Sequence, residues 1–395
     1  MGEHVTARGA DTKGETVVFA INSGSSSLKF AVFAIDDASE RRLVDGAIER
    51  IGGDDGRAWI REGTARTERA ATCDSHLAAL DLAFELLATR GRERFQVAAH
   101  RVVHGGPDRL EPAIVDAAVM ASLRGVVAFA PLHMPASIAG IEAIAARRPD
   151  LPQVVCFDTA FHATLPESAR RLPLPERFTD VRRYGFHGLS YEYVMSTLGP
   201  EVPSRIVIAH LGNGASLVAV KDGRAIDTTM GLTPTGGILM GTRSGDLDPG
   251  VLVYLSREKG LDASALEQLV DRESGLLAIG GTSDMKTLLE RSESDPRARL
   301  AVEMFGYAVK KTIGAFAAAL AGIDLLVFTG GIGERAARVR AEACAGLELF
   351  GLEIDADRNA RHDAIISGAS SRVVVRVVTT DEDLMIARHA RRLVA

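Results

Sequence analysis

Several residues sit where their chemistry is hard to explain by folding alone. Arg101 interrupts an apolar run in residues 97–107 (VAAHRVVHGGP). An arginine buried there must find an anion, supplied by the protein or by a ligand, and its fork matches carboxylate and phosphate. Its neighbours His100 and His104 read more simply as hydrogen-bonded structural histidines. Arg243 and Asp246 stand in residues 233–249 (TPTGGILMGTRSGDLDP), the longest stretch suited to neither helix nor strand. Its glycines let the backbone approach a ligand closely. His187 lies in a glycine-flanked turn, YGFHGLS, as a turn residue or a site residue. Asp158 ends the strand-like run VVCFD, where an acid either caps the next turn or does chemistry.

Three strand-to-glycine-turn elements have to position these groups. In residues 17–35 (VVFAINSGSSSLKFAVFAI) the apolar runs 17–21 and 30–35 are short and β-branched, which predicts two strands of a buried sheet. Between them Asn22, Ser23, Gly24, Ser25, Ser26 and Ser27 offer hydroxyls, an amide and backbone N–H groups to phosphate oxygens, with Lys29 as a point charge. A solvated hairpin loop is the competing reading. The pattern returns at 205–220, where RIVIA and LVAV flank a turn from His210 to Ser216, and two such hairpins suggest an internal duplication. Residues 324–334 (DLLVFTGGIGE) read as strand, glycine turn and helix, a nucleotide-cradle pattern without the GK[ST] of a P-loop.

The periodicity predicts helices at 75–87 (capped by Asp74 or Ser75), 136–147, 251–260, 263–270, 297–322 and 384–393, with a last strand at 373–378. Ser283 or Asp284 is placed to cap a further helix. The proline-spaced segment 166–175 reads as a surface hinge.

A chain of 395 residues implies two domains. Its hydrophobic content of 46% and charged content of 25% are those of a soluble globular protein, and a net charge of −6 argues against nucleic acid or anionic membrane as partner. The three cysteines, Cys73, Cys156 and Cys344, lie far apart with no CxxC spacing, which predicts structural thiols in a reduced cytoplasmic compartment and no zinc site. Residues 1–15 are polar, lack a signal-peptide core and read as a flexible extension. The most apolar later stretch is too short to span a bilayer.

Together these elements suit a nucleotide held between two domains, with a small anion beside its terminal phosphate. Phosphoryl transfer needs cationic clamps, in-line positioning and a bridging metal more than covalent chemistry. Eight motifs carry a specific likeness: NSGSSSLKF at 22–30, HRVVHGG at 100–106, PLHMP at 131–135, FDTAFH at 157–162, RRYGFHGLS at 182–190, HLGNGAS at 210–216, MGTRSGDLDPG at 240–250 and FTGGIGE at 328–334. Running in this order over nearly the whole chain, they resemble the acetate kinases, the acetokinase family. That family belongs to the superfamily of sugar kinases, heat-shock chaperone ATPases and actin.

The resemblance implies an α/β chain of two duplicated ribonuclease H-like (actin-like ATPase) domains with a cleft between them. One would comprise residues 16–162 plus 384–395. The other, 163–383, would bind the nucleotide and form a homodimer. The implied activity is reversible transfer of the ATP γ-phosphoryl group to acetate, giving acetyl phosphate and ADP. Arg101 would hold the carboxylate, and Val103, Leu132, Phe186 and Pro234 would receive the methyl group. His187 and Arg243 would stabilise the phosphoryl group in flight. Asp158 would orient the site or act as base. A carboxylate with a pKa of roughly 4–5 is already ionised at neutral pH, which favours orientation. Lys29, Ser25 and Ser27 would approach the ATP phosphates. His210, Leu211, Gly212, Asn213, Gly214, Asp284, Met285, Lys286, Gly331, Ile332, Gly333, Glu334 and Arg335 would line the nucleotide. Asn22 and Glu382 would organise Mg²⁺, or Mn²⁺ in its place, through water.

The chain departs from the family pattern at four places. Met134 replaces Asn in the PLHxP motif, Lys286 replaces the Arg of SDxR, and Gly236-Gly237 stands for Glu-Gly. Thr380-Asp381-Glu382-Asp383 stands for TNEE. A kinase for propionate or butyrate is the near alternative, since a pocket discriminates one methylene by only about 1–3 kcal/mol. A non-catalytic nucleotide-binding scaffold is the alternative of another class; it would have no use for Arg101 and Arg243.

Overall fold

The computed structural model describes residues 14–24 and 26–395, so residues 1–13 and Ser25 lie outside the described residues. The chain divides into two compact units. The first comprises the chain through Val103, then 111–157 and 383–395; the second comprises 104–110 and 158–382. The 166–175 segment, read above as a hinge, lies wholly inside the second unit.

The first unit is built on eight strands, β1 Thr16–Gly24, β2 Ser27–Ile35, β3 Glu40–Glu49, β4 Arg57–Glu62, β5 Ala65–Ala70, β6 Val97–Val102, β7 Ala113–Ile114 and β8 Gln153–Phe157. They lie in the order β5-β4-β3-β2-β1-β6-β8-β7. Residues 18–21 of β1 and 30–35 of β2 are buried without alternation, as a sheet covered on both faces requires. Phe19 stacks on Phe95 at 4.8 Å between ring centroids. Ser75 caps the helix His76–Ala88 by accepting from Ala78 N, and Leu80, Ala83 and Leu87 of that helix pack into the same core as Phe19 and Phe30. The C-terminal helix Glu382–Val394 joins this unit through Arg388, which grips Glu40 with two bonds of 2.7 Å.

The β1–β2 ladder is longer than its composition suggests. It runs unbroken from Thr16↔Ile35 to Gly24↔Ser27, so the polar interval is mostly strand. Asn22 pairs with Lys29 across the ladder. The ladder uses backbone groups that a phosphate loop would leave open. What the polar residues present is side chains alternating along a strand. His76 Nε2 meets Gly24 O at 2.6 Å and pins the turn to the adjacent helix.

The second unit repeats the plan. Strands β9 Arg205–Leu211, β10 Ala215–Lys221, β11 Arg224–Thr228, β12 Leu325–Thr329 and β13 Val374–Val377 lie in the order β11-β10-β9-β12-β13. In each unit an antiparallel hairpin (β1–β2, β9–β10) gains a third antiparallel strand (β3, β11). Its first strand then pairs in parallel with a fourth (β6, β12), which pairs in parallel with a fifth (β8, β13). The duplication read from two hairpins is therefore a duplication of five strands.

Beside this sheet runs the helix Pro296–Leu320, its apolar face buried through Ala301, Phe305, Val309, Ile313 and Phe316. Its opposite side exposes Leu300, Met304 and Tyr307, spaced as one helical stripe. The helix Pro249–Lys259 has no buried residue at all, and its Val251, Val253 and Tyr254 are exposed. Among the described residues no helix is long and apolar enough to cross a membrane.

Candidate active site

In the first unit, β6 places Arg101 opposite Cys156 of β8, and its Nη1 reaches the side-chain oxygen of Asn22 on β1 at 3.4 Å. Adjacent parallel strands thus bring together two residues far apart in sequence. Val103 is buried just beyond the end of β6 and Leu132 is half-buried. Lys29 is exposed on β2 and Ser27 is half-buried opposite Gly24. Met134 is fully buried at the start of the helix Met134–Arg147, so this departure from the family motif is a core residue. His100 is likewise structural: its Nε2 meets Gln153 Oε1 at 2.8 Å, and burial pushes its pKa down to about 4.

In the second unit, Asp158 follows the end of β8 and is 1% exposed; its carbonyl accepts from Gly188 N at 2.8 Å. That bond fixes the turn before the helix Gly188–Ser196. His187, at the N-cap position, has φ +59°, a left-handed backbone that non-glycine residues rarely adopt. His187 Nδ1 meets Ser216 Oγ at 2.8 Å, and its ring stacks on His210 at 4.3 Å between centroids. A methyl group on Gly214 would lie 3.3 Å from His187 Nε2 and 3.4 Å from Arg243 Nη1. An imidazole nitrogen and a guanidinium nitrogen therefore converge on the space over one glycine.

The irregular stretch 233–249 is held to this corner by backbone bonds. Gly241 N donates to Asn213 O at 3.0 Å, and Met240 N donates to Arg243 O at 3.0 Å. Arg243 Nη1 donates to Pro234 O at 3.1 Å, which sets the direction of the guanidinium. Pro234 and Phe186 are buried. His104 packs edge-on against Phe186 at 5.5 Å, bonds Leu232 O through Nε2 at 3.2 Å, and is also pushed down to about 4 by burial.

A cavity of about 830 Å³ lies in the same unit, a size suited to a small-molecule ligand. It collects Gly212, Asn213, Asp284, Met285, Lys286, Gly331, Ile332 and Arg335 of the residues expected at the nucleotide, and adds Ser283, Leu289, Glu290 and Ala336. His210, Leu211, Gly214, Gly333 and Glu334 stand outside its lining. Leu211 is fully buried, and Glu334 accepts from Gly330 N of its own helix at 3.1 Å and from Thr380 N at 3.3 Å. Asp284 caps the helix Met285–Arg291, and its bond from the Thr287 hydroxyl, with further backbone bonds, holds its carboxyl below the usual carboxylate range. Lys286 is 84% exposed, only loosely paired with Glu290 at 3.9 Å.

Three supporting residues escaped the sequence reading. Arg340 is fully buried and donates to Gly333 O at 2.8 Å and Glu334 O at 2.9 Å, holding the last turn of the glycine helix Gly330–Arg335. Its signal was an arginine on the side of its helix that also carries Val339 and Ala343, both buried. Ser216 and Tyr191, both fully buried behind His187, gave no such signal: single hydroxyls occur on many apolar elements.

Of the expected metal ligands, Asn22 offers an amide oxygen and Glu382, half-buried at the start of its helix, a carboxylate. Each is a hard oxygen donor of the kind that suits Mg²⁺; among the described residues there is no group of three His, Cys, Asp or Glu that could hold a metal ion.

Two sheets that share one five-strand topology, each opened by a polar-tipped hairpin, define a duplicated actin-like fold. The sequence profile of the Acetokinase family matches residues 17–388, and the chain belongs to that family. The acetate kinase of Syntrophobacter fumaroxidans is 46% identical, over 94% of this chain and 95% of its own. Among solved structures, a propionate kinase from Francisella tularensis shares 34% identity with a TM-score of 0.91, and Porphyromonas gingivalis acetate kinase shares 36% with a TM-score of 0.86. Each alignment covers 96% of this chain and all of the other. As a member of the family, the chain is a phosphotransferase with a carboxylate acceptor.

Proposed function

We propose that the chain catalyses ATP + acetate ⇌ ADP + acetyl phosphate, the γ-phosphoryl group passing directly and in line to a carboxylate oxygen. The convergence of His187 Nε2 and Arg243 Nη1 over Gly214 carries this reading, because the same turn supplies Gly212 and Asn213 to a cavity of nucleotide size. A loose phosphoryl transition state spreads charge over its equatorial oxygens, and two preorganised nitrogen donors stabilise it without reorganising. Arg101 takes the acceptor carboxylate, with Val103, Leu132, Phe186 and Pro234 assigned to its methyl group. Asp158 positions and does not act as base. Lys29, Ser25 and Ser27 are assigned to the phosphate tail, and Asn22 and Glu382 to the waters of Mg²⁺. When bound, that ion neutralises charge on the β- and γ-phosphates.

Purified protein with ATP, Mg²⁺, acetate and hydroxylamine tests the reading: acetyl phosphate is trapped as hydroxamate, and its absence with Mg²⁺ and with Mn²⁺ refutes it. Propionate is the second acceptor to compare, since the F. tularensis structure of high similarity is that of a propionate kinase. A kcat/KM higher for propionate than for acetate would reassign the substrate. We further assign the protein to the cytoplasm, supported by three buried free thiols, and to a homodimer, supported by the outward apolar residues of Pro249–Lys259 and Pro296–Leu320.

A further inference from the structure

We propose that Tyr191 and Ser216 fix the tautomer of His187, keeping its proton on Nε2 so that the ring meets the transferring phosphoryl group as a neutral hydrogen-bond donor. The kinetic part of this proposal rests on the role given to His187 above; the tautomer itself does not. The Tyr191 hydroxyl and the Ser216 hydroxyl are bonded to each other, and Ser216 Oγ lies 2.8 Å from His187 Nδ1. Tyr191 and Ser216 are 0% exposed, and Ser216 is the hydrogen-bond partner of the Tyr191 hydroxyl among the described residues.

Three atoms and the available protons leave two ways to wire this chain head to tail; a third arrangement, with Tyr191 and His187 Nδ1–H both donating to Ser216, leaves the buried Ser216 proton with no acceptor. In one, Tyr191 donates to Ser216, Ser216 donates to His187 Nδ1, and the ring proton sits on Nε2. In the other, His187 Nδ1–H donates to Ser216, Ser216 donates to Tyr191, and the phenolic proton is left buried with no acceptor. Leaving a buried donor unmet carries its full desolvation cost, so the first wiring is the stable one. Burial raises the Tyr191 pKa far above that of an ordinary phenol, so the hydroxyl keeps the proton it must donate. The ring has little freedom to turn away, because it stacks on His210 and its backbone is fixed in the left-handed region. Nε2 is then the nitrogen that faces Gly214 and Arg243. In this tautomer it donates; in the other it would present a lone pair to phosphate oxygens and repel them.

The test is the ¹⁵N spectrum of the full-length protein labelled in histidine, with the His187 signals assigned by loss in His187→Gln. The expected result is protonated Nε2 and unprotonated Nδ1 in the wild type. Tyr191→Phe, which keeps the ring contacts with Phe161 and His162, should give mixed tautomers. Its kcat should fall about tenfold while KM for ATP and for acetate stays within about twofold. Ser216→Ala should show the same split, with a larger change in the Nδ1 shift. A wild-type proton on Nδ1, or an unchanged tautomer and kcat in Tyr191→Phe, overturns the proposal. Normal turnover in His187→Gln refutes the catalytic reading of His187 and with it the kinetic half, while the ¹⁵N spectrum still decides the tautomer.

Discussion

Arg243 is held by a backbone carbonyl on one side and faces His187 across a glycine on the other. Removing the guanidinium should therefore cost the transition state more than the bound nucleotide: Arg243→Ala is expected to lower kcat by about 10²–10³-fold with a small change in KM for ATP. Steady-state kinetics in both substrates check this, and near-normal kcat would refute the role. Gly214→Ala should act in the same direction, since its methyl would sit between the two nitrogens at 3.3 and 3.4 Å. His100, His104 and His162 are each pushed down to about 4 by burial. Their unfolded forms take up protons below about pH 6.5 while the folded forms resist until about pH 4. Stability should thus be full above that window and fall as pH drops through it, by about 3 kcal/mol per histidine. Thermal midpoints between pH 7 and pH 5 measure the slope, and His100→Asn should flatten it. Arg101 and Arg243 were legible in the sequence because a permanent charge in an apolar or glycine-rich setting demands a partner. Ser216 and Tyr191 were not, because a hydroxyl is cheap to place and shows its use only when its neighbour is known.

Periodicity marks the elements of this chain well, and polarity is a poor guide to irregular structure in it. The helix Pro296–Leu320 and strands β9, β10 and β12 stand close to the expected places, since their apolar spacing is unambiguous. The serine-rich interval at 22–27 misled, because Asn22, Ser23 and Ser27 are polar yet ladder-bonded. Hairpin pairing satisfies their backbone groups whatever the side chains. Glycine at 330 illustrates the opposite case, a residue dictated by geometry. Its φ is +77°, and a Cβ there would lie 2.8 Å from Leu211 O. Gly330→Ala should cost about 1–3 kcal/mol from the backbone conformation alone and more from the clash. Because the helix it opens lines the cavity, KM for ATP should rise together with the loss in thermal midpoint. A variant with unchanged midpoint would show that strand β9 yields easily at Leu211.

At the scale of the molecule, five strands of one order occur twice, and the copies have diverged in what they carry. The first adds β4, β5 and β7 at its edges and bears Arg101 and Asn22. The second stays at five strands and bears the cavity and the His187–Arg243 corner. Sequence alone revealed the repeat only at its hairpins, since parallel pairing of β6 with β1 and of β12 with β9 depends on residues too distant for any local pattern. The second copy also carries a helix, Pro249–Lys259, with none of its residues buried, and Val253 and Tyr254 are more than half exposed. In the homodimer proposed above, this helix would gain part of its stability from association and hence from mass action. The thermal midpoint of the protein should rise with protein concentration. Val253→Glu or Tyr307→Glu should remove that dependence and shift sedimentation toward the single chain. Dilution alone, with no change of temperature or solvent, would then be a denaturing condition for this enzyme.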